Sequence, residues 1–198
     1  MHYPDQSTLL TSGDVETLID EHILRQDPFV FANLAFAKIQ TKIARELRVE
    51  RNGVFVVGSG SIGLSLNPAK ISNRLLKVFD PQSSDIDLAI VSAWHFDEGW
   101  RSLREQSSNY LPTRDSSLDD ELKHQRKRFF DGVILANKLL GYLPFNADWN
   151  PALIRIRQDI ALAISSDLDV NVWIYRDYWS LRNYTAEGIR KCRLALNL

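Results

Sequence analysis

Apolar positions recur along this chain at two different periods, and each change of period marks an element. Between Asp14 and about Gln26, Val15, Leu18, Ile19, Ile23 and Leu24 fall three and four residues apart, the spacing of one helix face. Asp14 supplies a cap for that helix, and Asp27-Pro28 ends it, because the residue before a proline avoids helical backbone. The helical period returns from about Ala32 to Arg48, with Leu34, Ala35, Ile39, Ile43 and Leu47 as its stripe. Asn52-Gly53 then predicts a turn into a short apolar strand, Val54–Val57. A second strand opens with Ser84-Asp85-Ile86-Asp87-Leu88-Ala89-Ile90-Val91.

Farther on, Trp94 to about Ser107 reads as a helix packed through Phe96, Trp100 and Leu103. Residues 109–117 read as a polar, proline-containing loop. A long helix is expected from Leu118 to Leu140, charged in its first half and apolar in its second. Phe129-Phe130-Asp131-Gly132 lies in its middle, where the glycine lowers helix propensity by about 1 kcal/mol. An aromatic-rich loop, Tyr142–Pro151, leads to a helix that Pro151 starts and that ends near Ile164. A third strand follows over Asp169–Tyr175, and a helix from about Asp177 to Leu196 closes the chain. The expected fold class is α/β (α+β), a small mixed β-sheet with three strands flanked by several helices. Residues 1–198 form one unit: N-terminal helices (about 14–48), core motifs (about 54–92), a helical segment (about 93–165), and the third strand with the last helix (about 169–198).

The chemistry concentrates around the first two strands. Side chains alternate faces along a strand, so Asp85 and Asp87 share one face, roughly 6–7 Å apart, while Ile86, Leu88 and Ile90 face a core. Two carboxylates beside a core are costly unless something positive meets them, and a divalent metal carrying a triphosphate is the natural partner. Gly58-Ser59-Gly60-Ser61 directly follows the first strand. Its glycines permit close backbone approach, its N–H groups can cradle an anion, and Ser59 adds a hydroxyl.

At these residues the sequence resembles the DNA polymerase beta-type nucleotidyltransferase superfamily, among them the minimal bacterial enzymes. Gly58-Ser59 followed by Asp85-x-Asp87 looks like that signature, and residues 54–92 carry most of it. The resemblance implies a mixed sheet with helices and aspartates bound to Mg²⁺, as two ions, with Mn²⁺ an alternative. It implies transfer of a nucleotidyl group from ATP or another NTP to a hydroxyl of a tRNA, nucleotide, protein or small molecule. It also suggests a toxin–antitoxin or anti-phage setting with an operon-encoded partner. A third carboxylate is expected from a later strand. Asp169 is the candidate, as metal ligand and as the group that helps deprotonate the attacking hydroxyl. A register shift of two residues puts Asn171 there instead, and Asp167 is a further possibility. The family spaces its Gly-Ser and first aspartate more closely. Here residues 60–84 intervene, punctuated by Asn67-Pro68 and Asp80-Pro81, with a short helix expected over Ile71–Val78. Lys70, Arg74 and Lys77 are candidates to reach phosphate, against a solvated basic face.

Composition changes little in this picture. The chain has 198 residues, 44% hydrophobic and 25% charged, with a formal net charge of −1, so no global charge advertises nucleic-acid binding. The single cysteine, Cys192, excludes an intramolecular disulfide, and its expected role is semi-buried packing on the last helix. His2, His22, His95 and His124 show no ligand spacing. No apolar stretch is long enough to span a bilayer and the N-terminus lacks a signal-peptide pattern, so a cytoplasmic protein with no membrane partner is expected.

Other features carry competing readings. Lys123-His124-Gln125-Arg126-Lys127-Arg128 could meet RNA, an NTP or an acidic partner, or simply be a solvated helix face. Arg190, Lys191 and Arg193 complement the last helix's dipole. Among Tyr175, Arg176, Asp177, Tyr178 and Trp179, an aromatic ring could stack on a base, against core and helix-start roles. Ser59 with His95 lacks the Gly-x-Ser-x-Gly turn of a hydrolase. Gly58-x-Gly60-x-x-Gly63 after a strand fits a dinucleotide-binding turn, except that the Asp-x-Asp opens the next strand instead of an acidic residue closing it. The second class of function is a catalytically degenerate module of the same fold that binds a nucleotide or a protein.

Overall fold

The structure is a computed structural model, and it describes residues 3–25, 27–32, 34, 36–108, 116–164 and 168–198. Along the chain come helices α1 (Gln6–Thr11), α2 (Val15–Ile19) and α3 (Phe36–Leu47), strand β1 (Val54–Val57) and helix α4 (Ser59–Ile62). Strand β2 (Ile86–Val91), helices α5 (Ala93–Ser108) and α6 (Ser116–Phe130), strand β3 (Val133–Leu135) and helix α7 (Ala136–Leu139) follow. Helix α8 (Asn146–Ile164), strand β4 (Val170–Tyr175) and helix α9 (Tyr178–Ala195) complete it. The strands form one mixed sheet in the order β1-β2-β4-β3. β1 and β3 run antiparallel to their neighbours, and β2 and β4 are parallel. The fold is therefore mixed α and β with helix predominating, as the hydrophobic pattern predicts.

Strand alternation sorts the sheet into two faces. Val54, Val56, Ile86, Leu88, Ile90, Val170, Val172 and Ile174 point into the largest core cluster, against Ile43 and Leu47 of α3, Phe96 and Leu103 of α5, and Trp149 and Ile156 of α8. The opposite face is apolar at one end, where Val57, Ala89, Val133 and Tyr175 pack under Leu181 of α9. A separate cluster ties α1 and α2 to α9 through Leu9, Leu18, Ile19, Ile189 and a fully buried Cys192.

Amide side chains finish the sheet where strands run out. Gln40 of α3 donates to Val54 O on the free edge of β1 (2.9 Å). Gln125 of α6, itself buried, donates to Val133 O (2.6 Å) and accepts from Leu135 N–H (3.2 Å), which closes the outer edge of β3. β3 pairs only with residues 173–175 of β4, and next to it Asn137 takes over the edge that β3 leaves open. Paired edges hide the unsatisfied N–H and C=O groups that would otherwise template another chain.

Several expected elements differ. The helix expected over 118–140 is two helices with β3 between them. α6 ends at Phe130 and Gly132 adopts φ +73°, a left-handed turn that a side chain would also fill sterically, because a Cβ there would lie 2.3 Å from Ser180 Oγ. The short helix expected over Ile71–Val78 is a hairpin. Ser72 and Leu75 exchange backbone hydrogen bonds around Asn73 and Arg74, both at positive φ, and Leu64 bridges Val78. α8 begins at Asn146, so Pro151 lies inside it; the residue four before it, Ala147, whose carbonyl gets no donor from the proline nitrogen, is exposed. α2 continues into a widened π-type turn over Asp20–Leu24. Gln26, Ala35 and residues 109–115 of the expected loop lie outside the described residues. Leu34 and Trp100, expected as packing residues, are exposed.

Candidate functional site

The site forms where the polar end of the sheet's second face meets the β1–α4 turn. Asp85 immediately precedes β2 and Asp87 lies within it, both half-buried. Val57 pairs with Asp87 across the antiparallel ladder, which brings the Gly58 turn directly over that carboxylate. A Cβ on residue 58 would lie 2.9 Å from Asp87 Oδ2, so glycine is required by space as well as by its φ of +65°. Ser59, Gly60 and Ser61 form the first turn of α4, where the Ser61 N–H already donates to Gly58 O (3.2 Å). Ser59 is half-buried. Ser61 is only 1% exposed, and its hydroxyl has no hydrogen-bond partner.

Register puts both Asp169 and Asn171 on the face of the aspartates, and the two differ in what their side chains contact. β2 and β4 pair with Asp87 opposite Asn171. Asn171 Nδ2 donates to both carboxylates, to Asp85 Oδ2 at 2.9 Å and to Asp87 Oδ1 at 3.2 Å. Trp173 Nε1–H, two residues on and therefore on the same face, also donates to Asp87 Oδ1 (3.0 Å). Asp169 falls just outside β4. Its carbonyl accepts from Ile86 N–H (2.8 Å), and the residue is exposed. Asp167 lies outside the described residues. Among the described residues, no three His, Cys, Asp or Glu side chains gather closely enough to hold a metal.

Electrostatics follow from this geometry. Burial pushes the Asp87 carboxyl above the usual carboxylate range. The Trp173 and Asn171 hydrogen bonds and the Lys70 charge pull it back, the neighbouring Asp85 charge adds to the rise, and the net direction is upward. Lys70 thus lies within electrostatic reach of Asp87, at the end of a 3₁₀ turn capped by Asn67. Arg74 does not join it. The hairpin turn carries its guanidinium to Leu196 O (3.0 Å) at the end of α9. Lys77 is exposed and lies near Asp80.

The basic run of α6 splits around its helix. Gln125 points inward, Lys123 pairs with Asp120 (2.8 Å), and Arg126 lines a groove with Trp100 and Phe129. Of this run, Arg128 lies over Trp173, with its guanidinium 5.8 Å from the centre of the ring. Tyr184 of α9 packs against the same indole. Arg128 and Asn137 are the site residues that sequence reasoning placed elsewhere, inside one long helix. Gly132 followed by Val-Ile-Leu was the signal that the helix ends and a strand begins.

The competing readings separate here. A dinucleotide-binding turn needs a parallel β-α-β unit, but β1 and β2 are antiparallel and α4 is a single turn. His95 follows the far end of β2 from Ser59 and is buried among Trp94, Phe145 and Trp149, with Nδ1 hydrogen-bonded to Ser92 Oγ (2.8 Å). Tyr175 is buried, Arg176 pairs with Asp97 (3.7 Å), Asp177 caps α9, and Tyr178 donates to Asn52 O (2.8 Å), so these residues serve the fold. Trp179 is exposed. No described helix is long and apolar enough to cross a membrane. Comparison of the chain with protein-family models, with curated proteins and with solved structures finds no match.

Proposed function

We propose that this chain is a nucleotide-binding module of the nucleotidyltransferase type that holds a nucleoside triphosphate without transferring its nucleotidyl group. The observation that carries the reading is the Asn171 amide bridging Asp85 and Asp87 where the resemblance calls for a third carboxylate. An amide is neutral and turns its N–H₂ end toward the aspartates. It supplies neither a ligand for a second ion nor a base for an attacking hydroxyl.

One divalent ion suits the remaining donor set. Asn171 and Trp173 donate to Asp85 Oδ2 and Asp87 Oδ1, and the Asp85 and Asp87 carboxylates are the groups that would hold it. When bound, that Mg²⁺ neutralises charge between the carboxylates and the triphosphate, which would otherwise repel each other. The Gly58–Ser61 turn would meet phosphate through backbone N–H groups and the Ser59 hydroxyl, with Lys70 beside it. A protein or RNA partner, including one encoded alongside it as in toxin–antitoxin or anti-phage systems, would then sense the nucleotide-loaded state.

A second reading, an active nucleotidyltransferase, draws on one observation. Extending the Ile86–Val170 register by one residue sets Asp169 level with Asp85 on the same face. Two experiments decide between them. Calorimetric titration with non-hydrolysable NTP analogues should show binding in Mg²⁺ that EDTA abolishes and that Asp85→Ala/Asp87→Ala lacks. Incubation with NTPs labelled at the α-phosphate should leave RNA and protein unlabelled. Failure to bind any NTP sinks both readings, and transfer abolished by Asp169→Ala replaces the first with the second.

A further inference from the structure

The orientation of the Asn171 amide is fixed by a chain of hydrogen bonds that starts in the backbone. β3 is too short to pair with residues 170–172 of β4, and Asn137, at the start of α7, occupies that open edge. Val172 N–H donates to Asn137 Oδ1, so the oxygen of Asn137 must face that N–H. Its Nδ2 then donates one hydrogen to Val170 O (3.1 Å) and the other to Asn171 Oδ1 (3.2 Å). With Asn171 Oδ1 held by a donor, Nδ2 must face Asp85 and Asp87, and it donates one hydrogen to each. A backbone donor and a backbone acceptor on the residues flanking Asn171, which cannot exchange roles, thus decide which end of its side chain meets the carboxylates. Reversing the Asn171 amide would set its oxygen against two carboxylates and its nitrogen against the Asn137 nitrogen, a mismatch at every contact.

We infer that Asn137 is a positioning residue that sets the affinity of this site for a divalent ion, keeping the donor end of Asn171 on the aspartates. The inference rests on the nucleotide-binding reading and specifies its metal affinity. Residues one step behind a metal ligand shift metal affinity by about tenfold or more, through the orientation they impose. Here the imposed orientation works against metal. Freeing Asn171 lets its carbonyl oxygen, a competent ligand, turn toward the aspartates in place of the N–H₂ group.

The test counts Mn²⁺ by electron paramagnetic resonance in wild type, Asn137→Ser and Asn171→Asp, with and without a non-hydrolysable ATP analogue. Asn137→Ser keeps a hydroxyl that can accept from Val172 N–H and adds no charge. The expected results are one Mn²⁺ per wild-type chain with the analogue and a second ion in Asn171→Asp. Asn137→Ser should show an affinity for Mn²⁺ alone raised by about tenfold. Asn137→Ser with wild-type Mn²⁺ affinity, alongside a gain in Asn171→Asp, overturns the inference and leaves the nucleotide-binding reading standing. No Mn²⁺ in Asn171→Asp overturns both, since the aspartate pair is then no ion site. A second readout needs only wild-type protein. The side-chain amide hydrogens of Asn171 should give two distinct nuclear magnetic resonance signals that exchange slowly with water, and rapid exchange overturns the inference.

Discussion

Gly58 and Asp87 touch through the space that any side chain at position 58 would need. A Cβ at position 58 would lie 2.9 Å from Asp87 Oδ2, and the backbone there has φ +65° and ψ −151°, a region essentially reserved for glycine. Gly58→Ala should therefore destabilise the protein by about 1–3 kcal/mol through backbone strain, and also displace the carboxylate. Urea denaturation measures the first effect and Mg²⁺-dependent nucleotide titration the second. The double variant Gly58→Ala/Asp87→Ala should recover part of the stability loss, because the two residues share one contact. Strict additivity would mean that the contact plays no part.

The Asp87 charge should cost stability in exchange for function. Its folded carboxyl titrates above the ordinary value because it is buried, so between the two values the folded state binds the proton that the unfolded state has released. The Asp87 contribution to stability is accordingly most favourable at acid pH and declines as pH rises through that window. Asp87→Asn, a neutral isostere that can still accept from Trp173, should raise the melting temperature at pH 7 and abolish metal-dependent nucleotide binding. A lower melting temperature would show that the hydrogen bonds to the charged form outweigh its burial.

His95 should make the fold acid-sensitive in the opposite sense. Buried among three aromatic rings, it has its pKa lowered from 6.5 to about 4 by burial. Below 6.5 the unfolded state takes up a proton that the folded state refuses, so stability falls as pH drops from 6.5 to about 4 and then levels off. The loss amounts to at most about 3 kcal/mol. His95→Gln removes this titration, so the difference between variant and wild type should shrink across that window. A difference independent of pH would mean that His95 titrates alike in both states.

How far these features can be read from sequence depends on whether they are local. The β2 alternation is local: Asp85 and Asp87 fall on one face because a strand has a period of two, and the structure keeps them there. The choice between Asp169 and Asn171 is not local. Both offsets leave the same residues on the same face, and a parallel pair formed by distant segments has no turn to set its register. β3 was hidden for a different reason. Val133, Ile134 and Leu135 continue the apolar half of a helical pattern, and only Gly132 marks the break. The hairpin at Asn73-Arg74 was equally hidden, because it puts an arginine at a left-handed position where the usual signal is glycine. Arg128 and Asn137, both misplaced by the missing strand, are for that reason the site residues that pattern alone did not bring together.

Arg128 provides the last prediction, because it separates a site residue from a basic surface. Lys123 is paired with Asp120 and Lys127 is exposed, whereas Arg128 is half-buried over the indole whose N–H holds Asp87. If a triphosphate binds at the aspartates, Arg128, through its place over Trp173, is the residue of the run expected to meet it. Arg128→Ala should weaken binding of NTP analogues several-fold and flatten its dependence on salt, since one partly shielded charge is removed. Arg128→Lys should recover the charge but not the guanidinium contact with the Trp173 ring, and so restore only part of the affinity. Lys123→Ala and Lys127→Ala should bind as wild type does. Equal losses in all three alanine variants would instead assign the run to a diffuse basic surface, and would leave Lys70 and the Gly58–Ser61 turn as the phosphate contacts.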